Sequence, residues 1–254
     1  VIIMDRSDMM YVMYDKKGPK VAENFAKRGF EAYYCPTKEE ALQKALALIP
    51  ADHVVSWGGS VSINEIGLRP YVLEHYQVID RDAAGSPEER VELMRKALLC
   101  DTFIMGTNAA TEDGQLYNID GNGNRVAALV YGPKQVVVIV GMNKVAPTLE
   151  DAVVRARTVA APINKQRFAA PTRASSRACV PTATAKAAFA TSSSARAAAA
   201  QPAASKSFSS GKISVFNNFM NITHNCHAFC MAVFAFSCSY FLMYSLCLSA
   251  IIRH

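Results

Sequence analysis

Three clusters of glycine and polar residues stand directly after apolar runs, a placement that suits ligand chemistry. Trp57-Gly58-Gly59-Ser60 follows the run 53–57 and precedes a helical pattern. Such a turn would present backbone N–H groups and the positive end of a helix dipole to a phosphate or carboxylate. A lone Gly-Gly is more often a plain tight βα turn, so this cluster alone decides nothing. Gly106-Thr107-Asn108 follows a second apolar run, and the stretch from Asn118 through Asp120 to Asn124 and Arg125 comes soon after it. Asn122-Gly123 reads as a turn former, whereas Asn118, Asn124 and Arg125 flank that turn on or near strands. Gly141-Met142-Asn143-Lys144 follows the most apolar run of the chain. Open α/β sheets bind ligands outside the carboxyl ends of their strands, so three clusters at such ends point to one composite pocket. In it Arg125 and Lys144 would hold an anion, with Glu65 or Asp120 as base or hydrogen-bond acceptor. No Ser-His-Asp arrangement, Walker loop or GxGxxG after a strand is present, and His53 and His75 stand singly.

The elements that must position these residues are legible as alternating periods. Helical spacing predicts helices over 20–27, 38–48, 63–75, 87–99 and 148–160. Ser86-Pro87-Glu88-Glu89 is a capping box with Pro at the first helical position, and Thr148 with Asp151 is a second capping pair. Strands are predicted over 30–35, 53–57, 77–79 and 102–105. A further pair, 115–119 with 126–131, reads as a hairpin around Asn122-Gly123. The continuous apolar run 135–140 reads as a strand buried on both faces. Strands alternating with helices predict an α/β fold with a three-layer, mostly parallel sheet.

Charge divides the chain sharply. Residues 1–168 hold all 21 acidic and 20 of the 27 basic residues, whereas residues 169–254 hold seven basic residues and no carboxylate. The overall charge of +6 therefore belongs to the tail and supports no basic surface for nucleic acid. Sixteen of the 36 residues from 169 to 204 are Ala, which reads as a disordered linker. Residues 228–252 carry no charge, long enough at face value for a membrane-spanning helix of roughly 20 residues. Cys35 and Cys100 read as buried thiols in a reducing compartment, and the Asp-containing start of the chain has no secretory apolar segment.

Trp57 to Ser60, Ile79-Asp80-Arg81-Asp82, the block from Gly106 to Ala127, Val140 to Lys144 and Ala161-Pro162-Ile163-Asn164 occur in one order. Together they resemble the LUD (lactate-utilization) domain family over about residues 15–168. The resemblance implies a NagB/RpiA/CoA-transferase-like fold whose glycine-rich loop after an early strand binds phosphate or a related anion. It also implies a part in oxidising L-lactate to pyruvate beside iron–sulphur partner proteins. Similar members continue with a cysteine-rich segment and a last strand, which this chain lacks as written. Read one base earlier, Cys179 to Ala183 can encode Cys-Ala-Asp-Cys, and Ala187 to Thr191 can encode Arg-Ile-Cys-Asn. In that frame Ala204 to Asn218 can encode Ile-Lys-Val-Ile-Leu-Ile-Gly-Glu-Asn-Leu-Gly-Ile, with stops at Asn217 and Asn218. The tail thus reads as an out-of-frame translation beginning near Phe168.

The expected organisation is an N-terminal extension 1–14, a LUD domain 15–168, an out-of-frame tail 169–216, and read-through 217–254 with its apolar stretch 228–252. The expected ligand site comprises Trp57, Gly58, Gly59, Ser60, Gly106, Thr107, Asn108, Asn118, Asn124, Arg125, Asn143 and Lys144, and the catalytic candidates are Glu65 and Asp120. No metal or cofactor site is expected in this chain; an iron–sulphur or zinc site would belong to the native-frame C-terminus. The expected partners are a small anionic metabolite and iron–sulphur proteins, with a homo-oligomer left open and neither nucleic acid nor a genuine membrane anchor. Cytoplasmic location follows from this reading. The alternatives are a non-catalytic sensing or scaffold subunit, or a tail-anchored protein if the apolar stretch is real.

Overall fold

The computed structural model describes residues 5–167 and 211–216. The chain opens with α1 (Arg6–Lys27), whose first turn is capped by the Asp5 carboxylate accepting the Asp8 N–H at 2.9 Å. Tyr14, Gly18, Val21, Ala22 and Phe25 form its buried stripe at helical spacing. The helix is much longer than the predicted 20–27 and begins inside the segment read as an extension. Pro19 and the charged run before it mask the stripe in sequence, but the cap and the buried face outweigh one lost hydrogen bond.

Next come β1 (Phe30–Cys35), α2 (Lys38–Ala47) and β2 (Val54–Trp57). The predicted helix 63–75 is two helices, α3 (Val61–Glu65) and α4 (Leu68–His75), because Gly67 between them has φ +77 and ends the helical path. After β3 (Gln77–Ile79) and a 3-10 turn over Arg81–Ala83, the expected capping box opens α5 (Pro87–Lys96). Ser86 Oγ accepts the Glu89 N–H at 3.0 Å, and the Glu89 carboxylate accepts the Gly85 N–H at 2.7 Å. A 3-10 turn, Ala97–Leu99, leads to β4 (Thr102–Gly106).

The expected hairpin around Asn122-Gly123 is not formed. The antiparallel pair is instead β5 (Ala109–Thr111) with β6 (Leu116–Tyr117), turning at Gly114 with φ +88. Residues read as its second strand form a helix, α6 (Asn124–Val130). The physical reason is local: Asp120 Oδ2 accepts the N–H groups of Arg125 at 2.8 Å and Val126 at 3.3 Å, satisfying donors of the first helical turn. Val126 and Leu129 then fall on one buried face.

The remaining elements are β7 (Gln135–Gly141), a 3-10 turn Met142–Lys144, β8 (Val145–Ala146), α7 (Leu149–Arg155), a π-helical turn Ala156–Ala160, α8 (Ala161–Lys165) and β9 (Gly211–Phe216). Thr148 caps α7 as expected, accepting the Asp151 N–H at 3.2 Å.

Six strands form one all-parallel sheet in the order β1-β9-β7-β4-β2-β3. A small second sheet has the order β6-β5-β8. Every residue of β4 and β7 is buried, so both faces of the main sheet are covered at its centre. Phe103, Ile104, Met105 and Ile139 pack there against Phe25, Ile63 and Leu68 in the core. Six residues within the segment read as irregular, Gly211–Phe216, form the strand between β1 and β7, with Ile213 in register with both Ala32 and Val138. The apolar stretch 228–252 and the cysteines from Cys179 onward lie outside the described residues. Cys35 and Cys100 are buried free thiols, and burial pushes the Cys100 thiol up to about 12. Among the described residues, no helix is long and apolar enough to cross a membrane, and no group of three or more His, Cys, Asp or Glu could hold a metal ion.

Candidate functional site

Parallel strands end at one edge of the sheet, so the chain leaves β3, β2, β4 and β7 side by side there. A cavity of about 380 Å³ lies along that edge. Its lining includes Gly59, Ser60 and Glu65 after β2, and Gly106, Thr107 and Asn108 at the end of β4. Asp120, Asn124 and Arg125 line it from the approach to α6, and Asn143 and Lys144 from the turn after β7. Three residues expected in the site do not line it. Trp57 is buried as the last residue of β2, and Gly58 packs under Arg125, where a Cβ would meet the Arg125 side chain at 2.7 Å. Asn118 is buried behind the cavity.

Asn118 shapes the cavity from there. Its Oδ1 accepts the Thr107 hydroxyl at 3.1 Å and the Asn108 N–H at 3.3 Å. Asn108 returns the contact through its own Oδ1, which accepts the Ile119 N–H at 3.0 Å and an Arg125 Nη2 hydrogen at 3.4 Å. Two loops are thus tied by reciprocal side-chain bonds, and Arg125 is held by them. Arg125 Nη2 also donates to the Ile119 carbonyl at 2.9 Å, and its Nε lies 3.5 Å from Asp120.

Lys144 Nζ donates to Ser62 Oγ at 2.7 Å. Burial and the neighbouring Arg155 pull its ammonium down to about 8, with Glu65 pulling the other way. Burial raises the Glu65 carboxyl above its ordinary value, against the opposing pull of Lys144. Glu65 therefore keeps a proton to higher pH than an exposed carboxyl does. Burial likewise lowers Arg155, to about 10; its Nε donates to the Asn143 carbonyl at 3.0 Å and its Nη1 to the Asn108 carbonyl. The helix dipole expected after Ser60 contributes little, because α3 has five residues and no side-chain cap.

Sequence reasoning did not identify Ser62, Arg81, Arg90, Arg155 or Arg167, all of which line the cavity. Arg81 carried a signal, standing two residues after β3 beside two acidic residues. Its partner Asp82 gathers Arg90 at 2.7 Å, Arg69 at 3.3 Å and the Trp57 indole N–H at 3.4 Å. Burial pushes the Asp82 carboxyl up, but Arg81 and Arg90 together hold it below its ordinary value. Arg155 and Arg167 carried none, since an amphipathic helix ordinarily exposes arginine. The π-helical turn Ala156–Ala160 widens the helical path between them, and Val159 and Ala160 within it line the cavity. The cavity thus meets six cationic side chains and two carboxylates.

The fold and the cavity define an α/β domain whose pocket sits at the carboxyl ends of a parallel sheet. The chain belongs to the LUD domain family, whose model matches residues 18–198, more than two-thirds of its length. Comparison with curated proteins gives no match, and comparison with solved structures gives none either.

Proposed function

We propose that this LUD-domain protein binds a small anionic metabolite in the strand-end cavity and serves lactate or related organic-acid utilization. The observation that carries the reading is the cavity's charge, six cationic side chains against two carboxylates at the edge where α/β sheets bind ligands. Arg125 is pre-positioned by Asn108, Ile119 and Asp120, so it can meet a carboxylate without reorganising. Glu65 is the better placed proton acceptor of the two candidates. Asp120 spends its Oδ2 on the amides of Arg125 and Val126, whereas Glu65 is raised by burial and lines the same cavity as Lys144. In lactate oxidation the electrons would pass to iron–sulphur partner proteins, and this chain would hold the acid or its product.

Isothermal titration of the full chain with lactate, pyruvate, coenzyme A and sugar phosphates tests the reading. Binding of at least one of them, lost in Arg125→Gln, is the expected result. Absence of binding to all four classes overturns it.

A further inference from the structure

The cavity's positive charge is divided between its two ends. β3 and β7 are separated by β4 and β2 in the sheet, three steps of about 4.8 Å, or roughly 14 Å between the strands. Arg81 follows β3 and Lys144 follows β7. Arg125 lies between them and feels both: it acts on Arg81 together with Asp82 and Arg90, and on Lys144 together with Arg155 and Glu65. Asp120 offsets Arg125, Glu65 offsets Lys144, and Asp82 stands against both Arg81 and Arg90, so each end keeps more cations than carboxylates, with Arg167 at the β3 end and Arg155 at the β7 end.

The two ends also differ in their donors. At the β7 end Arg155 spends Nε and Nη1 on backbone carbonyls, so that end offers chiefly the Lys144 ammonium. At the β3 end Arg81 is nine-tenths buried, and its Nε stands 3.7 Å from Asp82. Its Nη2 would lie 2.9 Å from a Cβ on Gly59, and Arg167 Nη2 would lie 3.3 Å from the same point. Glycine at position 59 therefore lets two guanidinium groups converge on the loop after β2. A monoanion of lactate size would neutralise one end and leave the other uncompensated.

We propose that the ligand is an extended polyanion with an acidic group at each end. A phosphate-type oxyanion is held by Arg81 and Arg167 beside Gly59, and a carboxylate is held by Lys144 and Arg155. This rests on the anion-binding reading of the same cavity and narrows it to phosphorylated carboxylic acids. Guanidinium forks match the several oxygens of a phosphate, whereas a single ammonium with one remaining guanidinium edge suits a carboxylate.

The test is titration of the full chain with ω-phosphonocarboxylates of graded length, beside alkylphosphonates and alkylcarboxylates that carry one charged end. The two-ended compounds should bind about tenfold tighter or more, with an optimum in length, because the second contact becomes intramolecular. Arg81→Gln should abolish that gain and leave alkylcarboxylate binding intact. Lys144→Met should abolish it and leave alkylphosphonate binding intact. Should Arg81→Gln unfold through its contact with Asp82, the exposed Arg167→Gln gives the same readout. Two-ended compounds that bind no better than one-ended ones at any length overturn the proposal and leave the anion pocket standing. Failure of every anion to bind overturns both.

Discussion

Asp120 Oδ2 accepts the backbone N–H of Arg125 at 2.8 Å and stands 3.5 Å from the Nε of the same residue. One carboxylate thus starts α6 and aims its arginine into the cavity. Asp120→Ala is expected to destabilise the fold by about 1–2 kcal/mol, the usual range for a lost helix cap. Thermal unfolding with parallel anion titration checks this. A variant as stable as the parent and equal in affinity would show that Asp120 neither caps nor positions.

Gly59 and Gly114 should respond oppositely to alanine. At Gly59 a new Cβ meets only the ends of the Arg81 and Arg167 side chains, which can swing away, so stability should hold while anion affinity falls. At Gly114 the Cβ would lie 2.7 Å from the Asn24 carbonyl oxygen, and φ is +88. Gly114→Ala should therefore cost about 2 kcal/mol or more through backbone strain and overlap. Melting temperatures of the two variants, measured together, decide the contrast.

Anion binding should weaken as pH rises through about 8, where Lys144 loses its proton. The neighbouring Arg155 titrates only at about 10, so the loss over that range belongs to Lys144. Affinity should be roughly tenfold lower about one unit above that value. Stability runs the other way. The folded Lys144 lies below the ordinary 10.5, so the unfolded chain holds the extra proton between about 8 and 10.5 and the fold gains stability over that window. Lys144→Met should accordingly raise the melting temperature at neutral pH while losing affinity. A variant that loses both would show the ammonium to be structural.

Among the described residues β9 is the sole strand partner of β1 in the main sheet, and it joins β1 to β7. Ending the chain at Ser210 should expose two strand edges and lower the melting temperature by roughly 10 °C or more, with aggregation. An unchanged melt would show that the slot is not needed.

The shifted frame makes its own prediction for that slot. Gly211 and Ser214 now lie in a central parallel strand, a position that favours continuous apolar side chains. In that frame Ile-Lys-Val-Ile-Leu-Ile falls at positions 205–210, so a chain rebuilt with it should shift its last strand onto that run and unfold at higher temperature, and the gene should carry a one-base slip near codon 168. The family match runs 30 residues past Phe168, so an intact frame together with an equal melt would retire the shifted reading.

Much of the architecture was legible residue by residue. The apolar run 135–140 could only be a doubly covered strand, and Ser86 and Thr148 marked helix starts that their hydroxyls do cap. Glycine and polar clusters after strands located the cavity edge, because parallel strands deliver their carboxyl ends to one place. The turn at Asn122-Gly123 misled, since a positive φ serves a helix start as readily as a hairpin, and the deciding contact was the Asp120 carboxylate.

By itself the sequence determined periodicity, caps and the order of polar turns, all of which are local. Only the tertiary structure decided that Arg81, Arg155 and Arg167 face the same cavity as Lys144. Their meeting depends on strand order, on the π-helical turn after α7 and on the close approach at Gly59, none of which is a property of neighbouring residues.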